Sequence, residues 1–367
     1  MTQALQDIKA LSLSELQNFV KEIGETEFRA GQIFGWIHGK GVSDFSSMTN
    51  LSASLKEKLS QHFYFSSIET VTDTHSIEAQ ANETVKFLFR LPDGKEIESV
   101  LIPNDRNENR LRLTVCVSSQ VGCALGCKFC ATGYMGFFRN LTIGEIVDQV
   151  ALVGDWAMSK FGKKITNVVF MGMGEPMLNY DRCKEAMDIL SDDRYRFQIP
   201  KRRITVSTVG IVPGILRMAD DGVKFKLAVS LHSASDVIRQ EMMPIAQEFP
   251  LVELKKALKY YHQKTKRPTS FEYLLIDGKT DSEQAAEELI RFCNGLVCKI
   301  NLIDYNPIVN IKYRSSFAGE KERFVERLVR AGLTVTIRKS RGKDINAACG
   351  QLAIKSVSGK RVKLVKP

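Results

Sequence analysis

The sequence predicts an α/β fold: a mostly parallel sheet of strand–helix units that curls into a partial (β/α)6 barrel, with a small helical domain and a β-hairpin extension before it. Three observations carry this. From residue 111 onward, β-prone apolar runs alternate with helical stretches about six times. The loop after the first of these strands holds three cysteines, Cys123, Cys127 and Cys130. The later strands run repeatedly into Gly, Glu, Ser, His and Asn, and polar residues collect in this way at the C-terminal mouth of a (β/α) barrel. A flat doubly wound sheet is the competing architecture, but no G-x-G-x-x-G opens a helix after the first strand.

The elements follow in order. Residues 1–65 read as a helical accessory domain. Ser12-Leu13-Ser14-Glu15 is a capping box, Leu13, Leu16, Val20 and Ile23 recur at helical spacing, and Gly24 ends the helix. A second helix carries the apolar stripe Phe28, Ile33, Trp36 and Ile37, and a third carries Leu51, Leu55 and Leu59. Each stripe is read as core. Residues 66–110 form the hairpin extension: Glu83–Arg90 and Ile97–Ile102 flank the turn Pro92-Asp93-Gly94, and Asn104–Arg110 is a loop.

The barrel core occupies 111–350, and a basic tail 351–367 follows it. Its strands are Leu111–Val117, Ile165–Met171, Ile204–Ser207, Phe225–Leu231, Phe271–Leu275 and Lys299–Ile303, with a last strand Leu333–Arg338. Helices are expected near 141–160, 181–191, 213–221, 251–264, 282–293 and 320–331.

The 367-residue chain has ordinary globular composition, no 18-residue apolar run and no basic-then-apolar leader, so neither a membrane span nor a secretion signal is expected. Eight cysteines spread along such a chain fit a reducing cytoplasm rather than a disulfide scaffold. A net charge of +10 points to a polyanionic partner, nucleic acid first. Lys201-Arg202-Arg203 and the run from Arg338 to Lys343 are phosphate-contact candidates, with a solvated basic surface as an equal alternative.

Cys123, Cys127 and Cys130 are spaced Cys-x3-Cys-x2-Cys, and no histidine lies between His75 and His232 to complete a four-ligand zinc site. Three thiols and a vacancy suggest an iron–sulfur cluster with one open iron. Among the strand ends, Glu175 in Gly172-Met173-Gly174-Glu175-Pro176 is able to accept from an ammonium group. Cys183, Cys293 and Cys298 read as inert buried thiols. Cys349 differs, because the basic residues Arg338, Lys339, Arg341 and Lys343 precede it.

The three-cysteine motif, with Phe129 before its last cysteine, resembles the radical S-adenosylmethionine (SAM) signature. That resemblance implies a 4Fe–4S cluster ligated by Cys123, Cys127 and Cys130, and the incomplete barrel of that superfamily. The GMGEP stretch resembles its SAM-binding motif, which implies Gly174, Glu175, Ser207, Ser230, Leu231, His232 and Asn306 around SAM. Together, CVSSQVGCALGCKFCATG, FFRNLT, NVVFMGMGEP, SLH, NLIDYNP and DINAACGQL resemble the bacterial enzymes that methylate C2 of an adenine in 23S rRNA and act also on certain tRNAs. Val121 and Pro176 separate the chain from an adenine-C8 sister family, whereas Ala131-Thr132-Gly133 and Tyr305-Asn306-Pro307 fit both.

The resemblance implies a mechanism. Cys349 is methylated by one SAM, a radical from a second SAM activates that methyl, and the carbon adds to C2 of adenine. Cys116 then resolves the adduct through a Cys116–Cys349 disulfide, and Glu98, with Cys116 as the other candidate, removes the C2 proton. From its own sequence, Glu98 reads as a solvated carboxylate on the exposed face of an edge hairpin. The implied partners are 23S rRNA, tRNA and an external electron donor, with no membrane and a monomer favoured. The competing functions are adenine-C8 methylation and a non-catalytic zinc- or cluster-containing RNA-binding protein.

Overall fold

The computed structural model describes residues 5–76, 83–105, 111–308, 311–338 and 340–353. The expected tail from 354, Lys339 and most of the Asn104–Arg110 loop lie outside them.

The N-terminal unit is built on three helices: Leu13–Glu22 (α1), Glu27–Gly35 (α2) and Ala53–His62 (α3). The Ser12/Glu15 capping box is present, and α2 runs into a π-helical turn that stops at Gly41, whose φ is +69°. Leu16, Val20, Ile33, Ile37, Leu55 and Leu59 form its core. Phe28 does not join them. It is 70% exposed, because the buried stripe of α2 passes through Ala30, Ile33 and Phe34 instead. The unit rests on the helices Ile143–Phe161 (α4) and Tyr180–Ser191 (α5). Lys9 pairs with Asp148, and Arg182 forks across both Glu15 oxygens at 3.0 and 3.2 Å. Gly144 permits this contact, since a Cβ there would meet Lys9 Cβ at 2.7 Å.

The ten strands of the main sheet lie side by side in chain order. They are Glu69–His75 (β1), Val85–Arg90 (β2), Glu96–Asp105 (β3), Leu111–Cys116 (β4), Asn167–Phe170 (β5), Ile204–Thr208 (β6), Lys226–Ser230 (β7), Thr269–Leu275 (β8), Cys298–Asp304 (β9) and Val335–Arg338 (β10). Neighbours from β1 to β4 pair antiparallel; from β4 to β10 every pairing is parallel. The expected hairpin is therefore the inner part of one continuous sheet, and β1, which the sequence reading left out, covers its far edge. Further helices are Val212–Asp220 (α6), Asp236–Met242 (α7), Leu251–Thr265 (α8), Glu283–Cys293 (α9) and Ala318–Arg330 (α10). Among the described residues, no helix is long and apolar enough to cross a membrane.

Side chains alternate across each strand. Phe271 and Tyr273 of β8 pack outward on Phe292 of α9 and Phe324 of α10. Glu272 takes the opposite face, where the register aligns it with Ser230 and Asn301. The inner face is thus polar near the C-terminal strand ends.

Among the described residues the end strands β1 and β10 do not pair, so the sheet stays open there. Residues 340–353 span from β10 back to the antiparallel half. Arg341 Nη1 donates to Pro103 O at 2.7 Å, Ser76 Oγ to Asp344 Oδ1 at 2.7 Å, and Ala353 N to Glu98 Oε2 at 2.9 Å.

A buried amide ties these layers together. Gln149 of α4 accepts from Ser99 Oγ at 2.6 Å and Ser118 N at 2.8 Å, and donates to Ser118 O and Glu145 O, each at 3.1 Å. Gln149→Leu strands these groups and is expected to cost about 3 kcal/mol of unfolding free energy. Urea unfolding followed by circular dichroism checks this.

Candidate active site

All seven parallel strands end on the same side, and the loops there carry the chemistry. The loop from Gly122 to Cys130 leaves a short antiparallel pair, Gln120–Gly122 with Phe137–Asn140. Gly122, at φ +73°, brings the backbone so close that a Cβ would meet Gly136 O at 1.9 Å. Cys123 N then donates to Gly136 O at 2.8 Å, and Cys130 N to Cys127 O at 3.1 Å.

The three thiols sit in an apolar cage that includes Leu125, Phe129, Met242, Met243, Ile303 and Tyr305. Burial pushes Cys123 up to about 12 and Cys127 well above the ordinary thiol value; Cys127 feels Cys130 and Cys123, so the three thiols lie within Coulombic reach of one another. Thiols this reluctant to ionise alone, yet gathered in one place, form a donor set for a cationic group. Among the described residues, no three Cys, His, Asp or Glu side chains close on a single metal ion. One thiolate to each of three irons of a cluster is a different arrangement, and the set fits it.

The residues expected around SAM line the next strand ends. Gly174 has φ +96°, and a Cβ there would collide with Gln120 Cβ at 2.5 Å. Glu175 is buried; its Oε1 accepts from Met177 N at 3.0 Å and its Oε2 from Val209 N at 2.9 Å. Burial raises its carboxyl to about 7 despite those bonds. It also lies within Coulombic reach of Cys123 and Cys127. Ser207 and Ser230 hydroxyls stand 3.5 Å apart on β6 and β7. Leu231 and His232 follow, both donating their backbone N–H to Glu272 O. The His232 ring packs edge-on against Phe129, with centroids 4.6 Å apart. Its Nδ1 accepts from Leu274 N at 3.2 Å, and burial lowers it to about 3, so the ring is neutral with its proton on Nε2.

Asn306 is brought to the same mouth, with a partner the sequence did not suggest. Its Nδ2 donates to Cys349 O at 3.1 Å, while its Oδ1 is buried without a partner among the described residues. One residue on, Gly350 O accepts from Ala131 N at 2.7 Å, next to the cluster cysteine Cys130. Thr132 Oγ1 donates to Leu352 O at 2.6 Å. Cys349 is thus an exposed thiol pinned between the cluster loop and the end of β9. Cys116, at the end of β4, is buried, and its thiol is pushed up to about 12 by burial and then by Cys349. Arg338, at the end of β10, is raised chiefly by Cys349, with Glu272 and Cys116 adding to it.

Glu98 corrects the sequence reading. It is 4% exposed, because β2 and β4 flank β3 on both sides and the hairpin is not an edge. Register puts Val100 opposite Cys116, so Glu98 and Cys116 share the inner face. Its carboxylate pairs with Lys86 Nζ at 3.0 Å and holds Ala353, four residues beyond Cys349. Of the phosphate-contact candidates, Arg338 lies 3.5 Å from Glu272 and Arg341 Nη1 donates to Pro103 O at 2.7 Å. Lys201–Arg203 precede β6, at the end of the barrel opposite the site.

A three-thiol loop after the first parallel strand, with glycine, carboxylate and hydroxyl groups at the following strand ends, defines a radical SAM enzyme. Residues 117–292 match the radical SAM superfamily, and residues 6–65 match the ribosomal RNA large subunit methyltransferase N-terminal domain. The chain is 56% identical over 361 residues to the probable dual-specificity RNA methyltransferase RlmN of Chloroherpeton thalassium, covering 98% of this chain and 97% of that one. It is 45% identical to the protein of the same description from Chlorobium phaeobacteroides, strain DSM 266, covering 97% of each. The crystal structure of a radical SAM methyltransferase from Sphaerobacter thermophilus superimposes with a TM-score of 0.83 at 41% identity, covering 95% of this chain and 99% of that one. The chain belongs to the RlmN family of RNA methyltransferases. It is an enzyme that uses a 4Fe–4S cluster and SAM to methylate RNA, which sets aside the non-catalytic alternative.

Glu175 gives a test that needs no substrate. Its folded carboxyl titrates near 7 against a reference of 4.5, so between those values the folded protein holds a proton that the unfolded chain has lost. Stability contributed by this group therefore falls as pH rises from about 4.5 to 7. The difference in unfolding free energy between wild type and Glu175→Gln, measured from pH 5 to pH 8, is expected to move in favour of the variant as pH rises.

Proposed function

We propose that the enzyme methylates C2 of an adenine in 23S rRNA, and adenine in certain tRNAs, through a methyl group carried on Cys349. The observation that supports this most directly is the joint placement of Cys349, Cys116 and the cluster loop: Gly350 O bound to Ala131 N, Asn306 bound to Cys349 O, and Cys116 within Coulombic reach of the Cys349 thiol.

Cys123, Cys127 and Cys130 would hold the cluster, and Gly174, Glu175, Ser207, Ser230, Leu231, His232 and Asn306 would surround SAM. Glu175 keeps a lone pair on each oxygen beyond its two backbone bonds, enough for the SAM ammonium. Cys349 takes a methyl by displacement at the sulfonium: its S–C bond forms, the sulfonium C–S bond breaks, and the thiol proton leaves. The cluster and a second SAM, when bound, supply the carbon radical that removes one hydrogen from that methyl. A radical route suits C2, which is electron-poor and cannot attack a sulfonium as a nucleophile.

Once Cys349 is joined through its methylene carbon to C2, the unpaired electron that the addition leaves on the base must pass to a one-electron acceptor, which the oxidised cluster would supply when bound, and Glu98 accepts the C2 proton. Cys116 attacks the Cys349 sulfur, forming a Cys116–Cys349 disulfide and releasing the methylene carbon to the base, which takes a proton and leaves as methyladenine. A dithiol-class reductant outside the chain must then reopen the disulfide, and a separate one-electron donor must serve the cluster. The adenine reaches the site unstacked from its neighbours. The reaction belongs in the cytoplasm, where thiols are kept reduced.

Cys116→Ala tests the resolving role. The variant is expected to accumulate a covalent protein–RNA species on denaturing gels, released only by nuclease, and Cys349→Ala should form none. A Cys116→Ala enzyme that turns over freely contradicts this assignment.

A further inference from the structure

Arg239 is the buried charge that the mechanism above leaves unused. It lies on α7 and is 1% exposed. Its Nη1 donates to Phe249 O at 3.2 Å and its Nη2 to Val209 O, while Nε has no partner among the described residues. No carboxylate pairs with it among the described ion pairs. The acid it feels most, Asp236, caps Leu251 N at 2.9 Å. Burying a guanidinium against carbonyls alone is expensive, and an apolar residue would fill the space more stably.

Its surroundings say what the charge faces. One turn further along α7, Met242 O accepts from Lys128 N at 2.9 Å, so this helix is bonded to the cysteine loop itself. Arg239 and Cys127 are within Coulombic reach, as are Arg239 and His232. Val209, whose carbonyl Arg239 holds, gives its N–H to Glu175.

We propose that Arg239 is the buried counter-charge of the iron–sulfur cluster and sets its reduction potential. The inference rests on the radical SAM reading of this site. Three thiolates make the cluster region anionic, and taking up one electron adds a further negative charge. A fixed cation in a water-poor cage stabilises the reduced form more than the oxidised one, so an external donor can deliver that electron more easily. Arg239 is a positioning residue in this sense: it acts through the cluster and touches no substrate.

The test is a reductive titration of the full chain, anaerobically reconstituted and without SAM, followed by electron paramagnetic resonance. Arg239→Gln, which keeps hydrogen-bonding capacity without charge, is expected to shift the oxidised/reduced ratio at fixed ambient potential about tenfold toward oxidised, roughly 59 mV for one electron. Arg239→Lys should stay near wild type, and Asp236→Asn should shift the ratio the other way. An Arg239→Gln protein with a full cluster that titrates as wild type overturns the proposal. Should that variant not hold a cluster, Asp236→Asn decides: a ratio unchanged from wild type also overturns it. A wild-type chain that assembles no cluster removes the cofactor reading itself, which is a separate failure.

Discussion

The docking of residues 340–353 across the open side of the sheet is the constraint on which the site depends. Among the described residues the sheet does not close through strand pairing, and an irregular segment joins its antiparallel and parallel halves on that side. Its bonds reach β3 through Pro103 and Glu98, the cluster loop through Ala131 and Thr132, and the end of β9 through Asn306. Each is worth about 1 kcal/mol net, and together with the buried Ala347, Ala348 and Leu352 they hold the loop that carries Cys349 against the sheet. Strand pairing sets Glu98 and Cys116 on one face, and this segment brings the distant Cys349 to the same mouth.

Much of the architecture was legible in the sequence, because βα alternation is a local signal. The strands and helices expected from residue 111 fall within a few residues of their bounds, and the Ser12/Glu15 capping box starts α1, whereas the seven-residue α7 and the short pair Gln120–Gly122 with Phe137–Asn140 were not expected. The polar strand ends were legible for the same reason: glycine at Gly174 and the acid at Glu175 are odd residues after an apolar strand. What stayed hidden depends on partners distant in sequence. Glu98 reads as exposed until β4 is known to pair beside β3. Phe28 reads as core until Ala30, Ile33 and Phe34 are seen to take that face of α2. Arg239 had a signal of a kind, a lone cation among Ile238, Met242 and Met243, but nothing local says that solvent never reaches it.

The electrostatics of the mouth follow from dryness. Glu175, His232, Arg239 and Cys127 are all buried, and burial is the first cause of each shift away from the ordinary value. In such a place a charge is retained only where another charge answers it. In the assignments proposed above, the thiols answer the cluster, Glu175 the ammonium of SAM, and Arg239 the electron that arrives. The same low dielectric makes these groups sensitive to ligands that bring or remove charge.

Everything proposed for the mouth turns on Cys349 delivering a methyl group to C2 of adenine. The direct measurement uses reconstituted enzyme, methyl-labelled SAM, a low-potential reductant and protein-free 23S rRNA fragments, followed by nucleoside mass spectrometry. Labelled 2-methyladenosine with the wild type, and none with Cys349→Ala, is the predicted result. Labelled 8-methyladenosine in its place, or methylation that survives Cys349→Ala, would contradict it.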